Sequence, residues 1–124
     1  MFLDDFIEFI SADTSINNMC TGGIRFDHLP TDFDADKEWI VFGFSINEIY
    51  GCAGDKNALT RFDLEIQVVS KNIVVVESLA SALNEHLLTY PNGWGIDSYL
   101  LDESIDWNSE KEVYFKTLKY NVLY

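Results

Sequence analysis

Few residues in this chain have the type and spacing to do chemistry. Asp32, Asp34 and Asp36 in "TDFDADKE" open like a calcium loop, D-x-D-x-D. Such a loop needs Gly at its sixth position and Glu at its twelfth, and here those are Lys37 and Gly43. The stretch therefore reads as a solvated acidic loop. His28 and His86 are the only histidines, and neither has a second ligand four residues on or a cysteine nearby. His86 is expected to pack or cap near the end of a helix. Asp102, Glu103 and Asp106 could pair as general acid and base, but on a strand Asp102 and Glu103 point to opposite faces. Gly93-Trp94-Gly95 is too short to cradle a phosphate and has no basic neighbour. Cys20 and Cys52 have neither zinc nor redox spacing and read as reduced thiols. No phosphate-loop or nucleophile-elbow motif is present. These residues predict no enzyme, no metal and no cofactor.

The elements that would position any site follow from hydrophobic spacing. The chain has 124 residues, 48% of them apolar and 15% aromatic, which suits one folded domain over 1–124. Phe2, Phe6, Phe9 and Ile10 give a short amphipathic helix over 2–11 that is expected to fade near Asp13-Thr14-Ser15. Ile24 and Phe26 form a brief strand between Gly22-Gly23 and Pro30. "WIVFGFSI" (39–46) is apolar on both faces, as for a strand covered twice or buried against another subunit. Residues 47–59, with Gly51, Gly54, Asp55 and Asn57, read as a projecting hairpin arm.

"TRFDLEIQVVSKN" (60–72) alternates. Phe62, Leu64, Ile66 and Val68 face inward, and Arg61, Asp63, Glu65 and Gln67 face outward. Val75, Val76, Leu79, Ala80, Leu83 and Leu87 then take helical spacing, with Ser70 or Asn72 as the cap. The run "IVVV" (73–76) is β-branched and leaves the helix start open. Pro91 and Gly93 end it. "YLLDESIDW" (99–107) alternates except at Glu103, which suggests a bulge or an edge position. "VYFKTLKYNVLY" closes the chain as a strand. The expected class is α+β: a mostly antiparallel sheet of about five strands with two helices packed on one face.

Charge narrows the function classes. With 21 acids against 8 bases the net charge is −13, spread along both halves of the chain. Such a surface opposes tight nucleic-acid binding, which needs Lys and Arg to replace counterions, and it avoids anionic membranes. It allows a protein that must stay near DNA without sticking to it, or one that binds a basic partner. The acidic start "MFLDDFIEFI" does not resemble a signal peptide, so a soluble cytoplasmic protein is expected. Trp39, Tyr50, Trp94, Tyr99 and Trp107 form an apolar surplus at strand ends or in loops, a sign of protein contact.

From "DKEWIVFGF" to the end, residues 36–124, the order of pieces resembles the tail terminator (tail completion) proteins of long-tailed bacteriophages and phage-derived particles. The likeness lies in "LTRFDLEIQVVSKNIVVVESLASALNEHLL", "NGWG", "SIDW" and "LKYNVLY". It implies an α+β subunit of a hexameric ring that caps the tail tube, ends tube polymerisation and joins the tail to the head connector or stopper, within the virion neck and assembled in the host cytoplasm. Partners would be further copies of itself, the tail-tube protein and the connector, with DNA passing through unbound. No cofactor or catalytic residue belongs to that family. Candidate ring-interface residues are Ile49, Tyr50, Trp39, Arg61, Asp63, Glu65 and Gln67, with Asp63 and Glu65 also candidate channel acids. Two rivals stand beside this reading: another connector or stopper component, and an acidic immunity or inhibitor protein that binds a basic partner.

Overall fold

The computed structural model describes residues 2–50, 59–88 and 97–123, with side chains described over 4–46, 61–88 and 99–123. The chain runs α1 (Phe2–Ser11), α2 (Thr14–Met19), β1 (Gly23–Phe26), β2 (Trp39–Tyr50), β3 (Leu59–Ser70), α3 (Ile73–Leu88), β4 (Asp97–Asn108) and β5 (Val113–Leu123). Five strands form one sheet in the order β1-β2-β3-β5-β4. β1 is parallel to β2 and the other pairs are antiparallel. This is the expected α+β class, with one parallel edge strand and one more helix than the hydrophobic spacing showed.

The extra helix has a local cause. Asp13, where the first helix was expected to fade, adopts extended backbone and caps a second one. Its Oδ1 accepts the Ile16 N–H at 3.0 Å. The carboxylate satisfies an amide that a helix start leaves open, so a one-turn break replaces a tail-off. At α3 both expected caps act in series. Ser70 Oγ accepts the Asn72 N–H at 3.1 Å, and Asn72 Oδ1 accepts the Val74 N–H at 2.9 Å. That pair commits "IVVV" to helix against its β-branched preference.

The helices cover one face of the sheet. From α3 come Val76, Leu79, Ala80, Leu83 and Leu87, and from α1 and α2 come Phe6, Ile10 and Ile16. They pack on the even-numbered rows of β2, β3 and β5, including Ile40, Phe42, Leu64, Ile66, Leu118 and Tyr120. The inner row expected of β3 is this core. Polar tethers set the layer. Tyr120 Oη donates to Asn84 Oδ1 at 2.8 Å, and the Lys116 ammonium bonds Glu77 of α3 at 2.9 Å. Burial pushes the Tyr120 hydroxyl pKa up, and the charge of Glu103 adds to the shift.

The opposite face of the sheet has no helix among the described residues. At one end it is covered by the segment 27–38 that joins β1 to β2. There Trp39, Val69 and Val113 form a second, small core with Leu29, Phe33, Ala35 and Phe115. Three contacts pin the segment. Trp39 Nε1 donates to the Asp34 carbonyl at 2.8 Å, Lys71 bonds Asp36 at 2.7 Å, and Lys111 Nζ donates to the Thr31 carbonyl at 2.7 Å. The Lys71 ammonium holds the Asp36 carboxyl below its usual range. The acidic stretch is thus a strap over the sheet and not a free solvated loop. It also explains why "WIVFGFSI" is apolar on both sides. The start of β2 lies under α1 and α3 on one face and under the strap on the other, while Ile46 near its far end is 58% exposed.

Candidate functional site

Beyond the strap the open face becomes a concavity of about 570 Å³, lined by Val41, Gly43 and Ser45 of β2, Asp63, Glu65 and Gln67 of β3, and Lys119 of β5 among others. Register partners share a face, so each rung can be read across the sheet. One rung runs Val41, Gln67, Thr117, Ser104. The next runs Gly43, Glu65, Lys119, Asp102, and the third Ser45, Asp63, Asn121, Tyr99. Gly43 keeps the floor low, since a Cβ there would meet nothing within 4 Å.

The outer row of β3 is not bare. Arg61 donates from its guanidinium to Asn121 Oδ1, and Asn121 Nδ2 donates to Asp63 Oδ1 at 3.1 Å. Asn121 is buried, and the two charged groups take its amide oxygen and nitrogen, fixing its orientation. Glu65 is exposed and lies opposite Lys119. Gln67 is half buried. The polar row of β3 was legible in the sequence, and in β5 Thr117, Lys119 and Asn121 alternate with Leu118, Tyr120 and Val122. The union of the two rows into one surface required the strand order, which sets β5 beside β3.

The other site candidates separate. Trp39 is only 6% exposed, with the Arg25 guanidinium over its ring, so its indole is spent inside the chain and is withdrawn as a surface contact. Burial under the strap is the reason. Ile49 and Tyr50 are described as strand backbone only, opposite Thr60 and Leu59, past an irregularity between Ile46 and Glu48. The expected arm therefore begins as a continuation of β2 and β3. Its tip, 51–58, lies outside the described residues, as do Cys52, Trp94 and Gly93-Trp94-Gly95. Tyr99 and Trp107 are described and exposed.

His86, Glu103 and Cys20, among the residues first inspected for chemistry, have structural partners. His86 Nε2 lies 2.8 Å from the Phe9 carbonyl and its Nδ1 lies 3.6 Å from Asp13 Oδ2, joining α3 to the N-terminal helices. Glu103 lies 3.9 Å from Lys116. Burial raises the Cys20 thiol pKa, and its Sγ lies 3.1 Å from the Gly23 carbonyl. Among the described residues no three His, Cys, Asp or Glu side chains gather as a metal site. No described helix is long and apolar enough to cross a membrane.

The two edges of the sheet differ. β4 is a long edge carrying Asp97, Asp102, Glu103 and Asp106 and no base, and β1 is a four-residue edge carrying Arg25. This architecture has a counterpart among solved structures. The chain shares its fold with a virion subunit. A chain from "Virion of native gene transfer agent (GTA) particle" matches with TM-score 0.65, covering 94% of this chain and 88% of that one, at 14% identity. No family model and no curated protein matches. At that identity the likeness carries the fold alone.

Proposed function

We propose that this protein is a structural subunit of a phage-type particle. It forms a ring, of six copies, that caps the tail tube, ends tube growth and joins the tail to the head connector. The observation that carries the reading is the fold shared with a virion chain over 94% of the sequence. Two further features support it. The sheet has two unlike edges, as a subunit needs to close a ring head to tail. The net charge of −13, multiplied in a ring, repels DNA that must pass through.

Within this reading the open face carries the acids assigned to the channel, Asp63 and Glu65. Glu65 is the more exposed of the two, and Asp63 is held by Asn121. The paired ends of β2 and β3 begin the arm, which contacts a neighbouring ring or subunit. Deleting residues 50–57 is expected to leave a folded chain that no longer joins tails to heads.

The test is the mass in solution together with particle images. Six chains of 14.2 kDa give a ring of about 85 kDa. A chain that stays monomeric up to millimolar concentration, and shows no rings when imaged, rejects the proposal.

A further inference from the structure

The two edges of the sheet are complementary in charge and in apolar content, face by face. On β4 a bulge at Leu101 resets the alternation. Leu100 pairs with Tyr120 of the core, whereas Asp102 pairs with Lys119 on the open face. From there Asp102 and Asp106 share the open face, while Ile105 and Trp107 share the helix-covered face with their partners Lys116 and Tyr114. The Trp107 ring lies 4.6 Å from that of Tyr114, tilted by 56°, yet stays 50% exposed, and Ile105 stays 40% exposed. Glu103, also on the helix face, is near Lys116. Asp106 has no ion pair among the described residues.

The β1 edge is the counterpart. Arg25 pairs with Val41 and stands exposed on the open face. Phe26 pairs with Phe42 on the helix-covered face and is 45% exposed. Lys37 is exposed just before Trp39, whose register partner Gly23 opens β1. Two acids lie at this edge among the described residues: Asp27, at a positive φ of 73°, lines the groove, and Glu38 accepts a hydrogen bond from the Thr21 hydroxyl at 2.5 Å. A copy placed beside another, with its helices on the same side, would therefore bring Arg25 toward Asp102 and Asp106 on one face. It would bring Phe26 toward Ile105 and Trp107 on the other. Pairing β4 with a second β4 would oppose acid to acid, which like-charge repulsion disfavours.

We propose that the β4 edge of one copy docks on the β1 edge of the next, continuing the sheet head to tail from copy to copy. This rests on the ring reading and names its contact. It also gives a partner to the outer backbone side of β4, a twelve-residue edge strand.

Charge exchange tests it. One variant carries Asp102→Lys and Asp106→Lys, and a second carries Arg25→Glu and Lys37→Glu. Each is checked by circular dichroism and thermal melting, then weighed by sedimentation. Alone, each presents like charges at both edges, and self-association is expected to weaken at least about hundredfold. Mixed in equal amounts, they present opposite charges at every contact, and assemblies of wild-type mass with alternating variants are expected. A single chain carrying all four changes should also assemble. Wild-type assembly that neither variant weakens, or weakened assembly that neither mixing nor the fourfold variant restores, overturns the edge contact and leaves the ring standing. A wild-type chain that never assembles fails the ring itself, and this contact with it.

Discussion

The imidazole of His86, on α3, stacks on the ring of Phe9, on α1, at 4.1 Å and 18°, and its Nε2 lies 2.8 Å from the Phe9 carbonyl oxygen. A carbonyl only accepts, so the bond requires the proton on Nε2. One side chain thus ties the N-terminal helices to the helix that covers the sheet. His86→Ala removes the bond and the stacked ring. A loss of about 1–3 kcal/mol in unfolding free energy is expected, with faster amide exchange in α1 and α2 than in α3. Denaturant unfolding and hydrogen exchange measure both. Exchange that rises equally in all three helices would contradict the tether.

Gly22 packs against Trp39. A Cβ at position 22 would lie 2.5 Å from the indole and 2.7 Å from the Glu38 carbonyl, while the Gly22 N–H already bonds that carbonyl at 2.7 Å. Gly22→Ala must push the indole or the backbone aside. A cost of about 1–3 kcal/mol is expected, with a shifted Trp39 fluorescence maximum as the ring moves from its strap. An unchanged melting temperature would show that the space is there.

Gly43 is the opposite case, because its side-chain direction is open. Gly43→Val should leave stability unchanged or raise it by up to about 1 kcal/mol, since glycine weakens a strand interior. The larger Gly43→Trp would fill the groove floor beside Glu65. If the open face lines the channel, the variant should melt like wild type and still form rings, yet slow DNA passage in assembled particles. Ring loss with normal melting would instead make this face a subunit contact.

Tyr120 gives an alkaline limit. The residue is 1% exposed and burial raises the pKa of its hydroxyl, so the folded state holds the proton more tightly than the unfolded chain. The stability this contributes is complete below the unfolded pKa of about 10 and is lost as pH rises above it toward the folded value. Tyr120→Phe should remove that share of the alkaline decline and cost about 1 kcal/mol or more at neutral pH, because Asn84 Oδ1 loses its donor. Melting curves between neutral pH and pH 11 or so decide the matter. Identical alkaline slopes in both proteins would remove Tyr120 as the cause.

Period and punctuation alone carried much of the fold. The alternation of Phe62, Leu64, Ile66 and Val68 put one row of β3 in the core, and the spacing from Val76 to Leu87 defined α3. These are local properties, set by side-chain direction along a single element. The break at Glu103 was also visible, and β4 is both bulged and an edge. What the break meant was not visible. The bulge moves Ile105 and Trp107 to the helix-covered face and leaves Tyr99 and Leu101 on the other, so one apparent row is two.

The sequence by itself determined the α+β class, the inner rows, the caps at Ser70 and Asn72, and the acidic balance that bounds the partners. Tertiary structure decided the rest, through contacts between residues far apart in the chain. Placing β5 beside β3 joined Arg61, Asn121 and Asp63 into one network. Folding 27–38 back over Val69 and Val113 turned an acidic loop into a strap and withdrew Trp39 from the surface. Strand order set the acidic edge and the Arg25 edge at opposite ends of the sheet. Hydrophobic period encodes which way a side chain faces within its own element. Only the pairing of elements decides what lies opposite it, and the polar surface of this protein is built from those pairings.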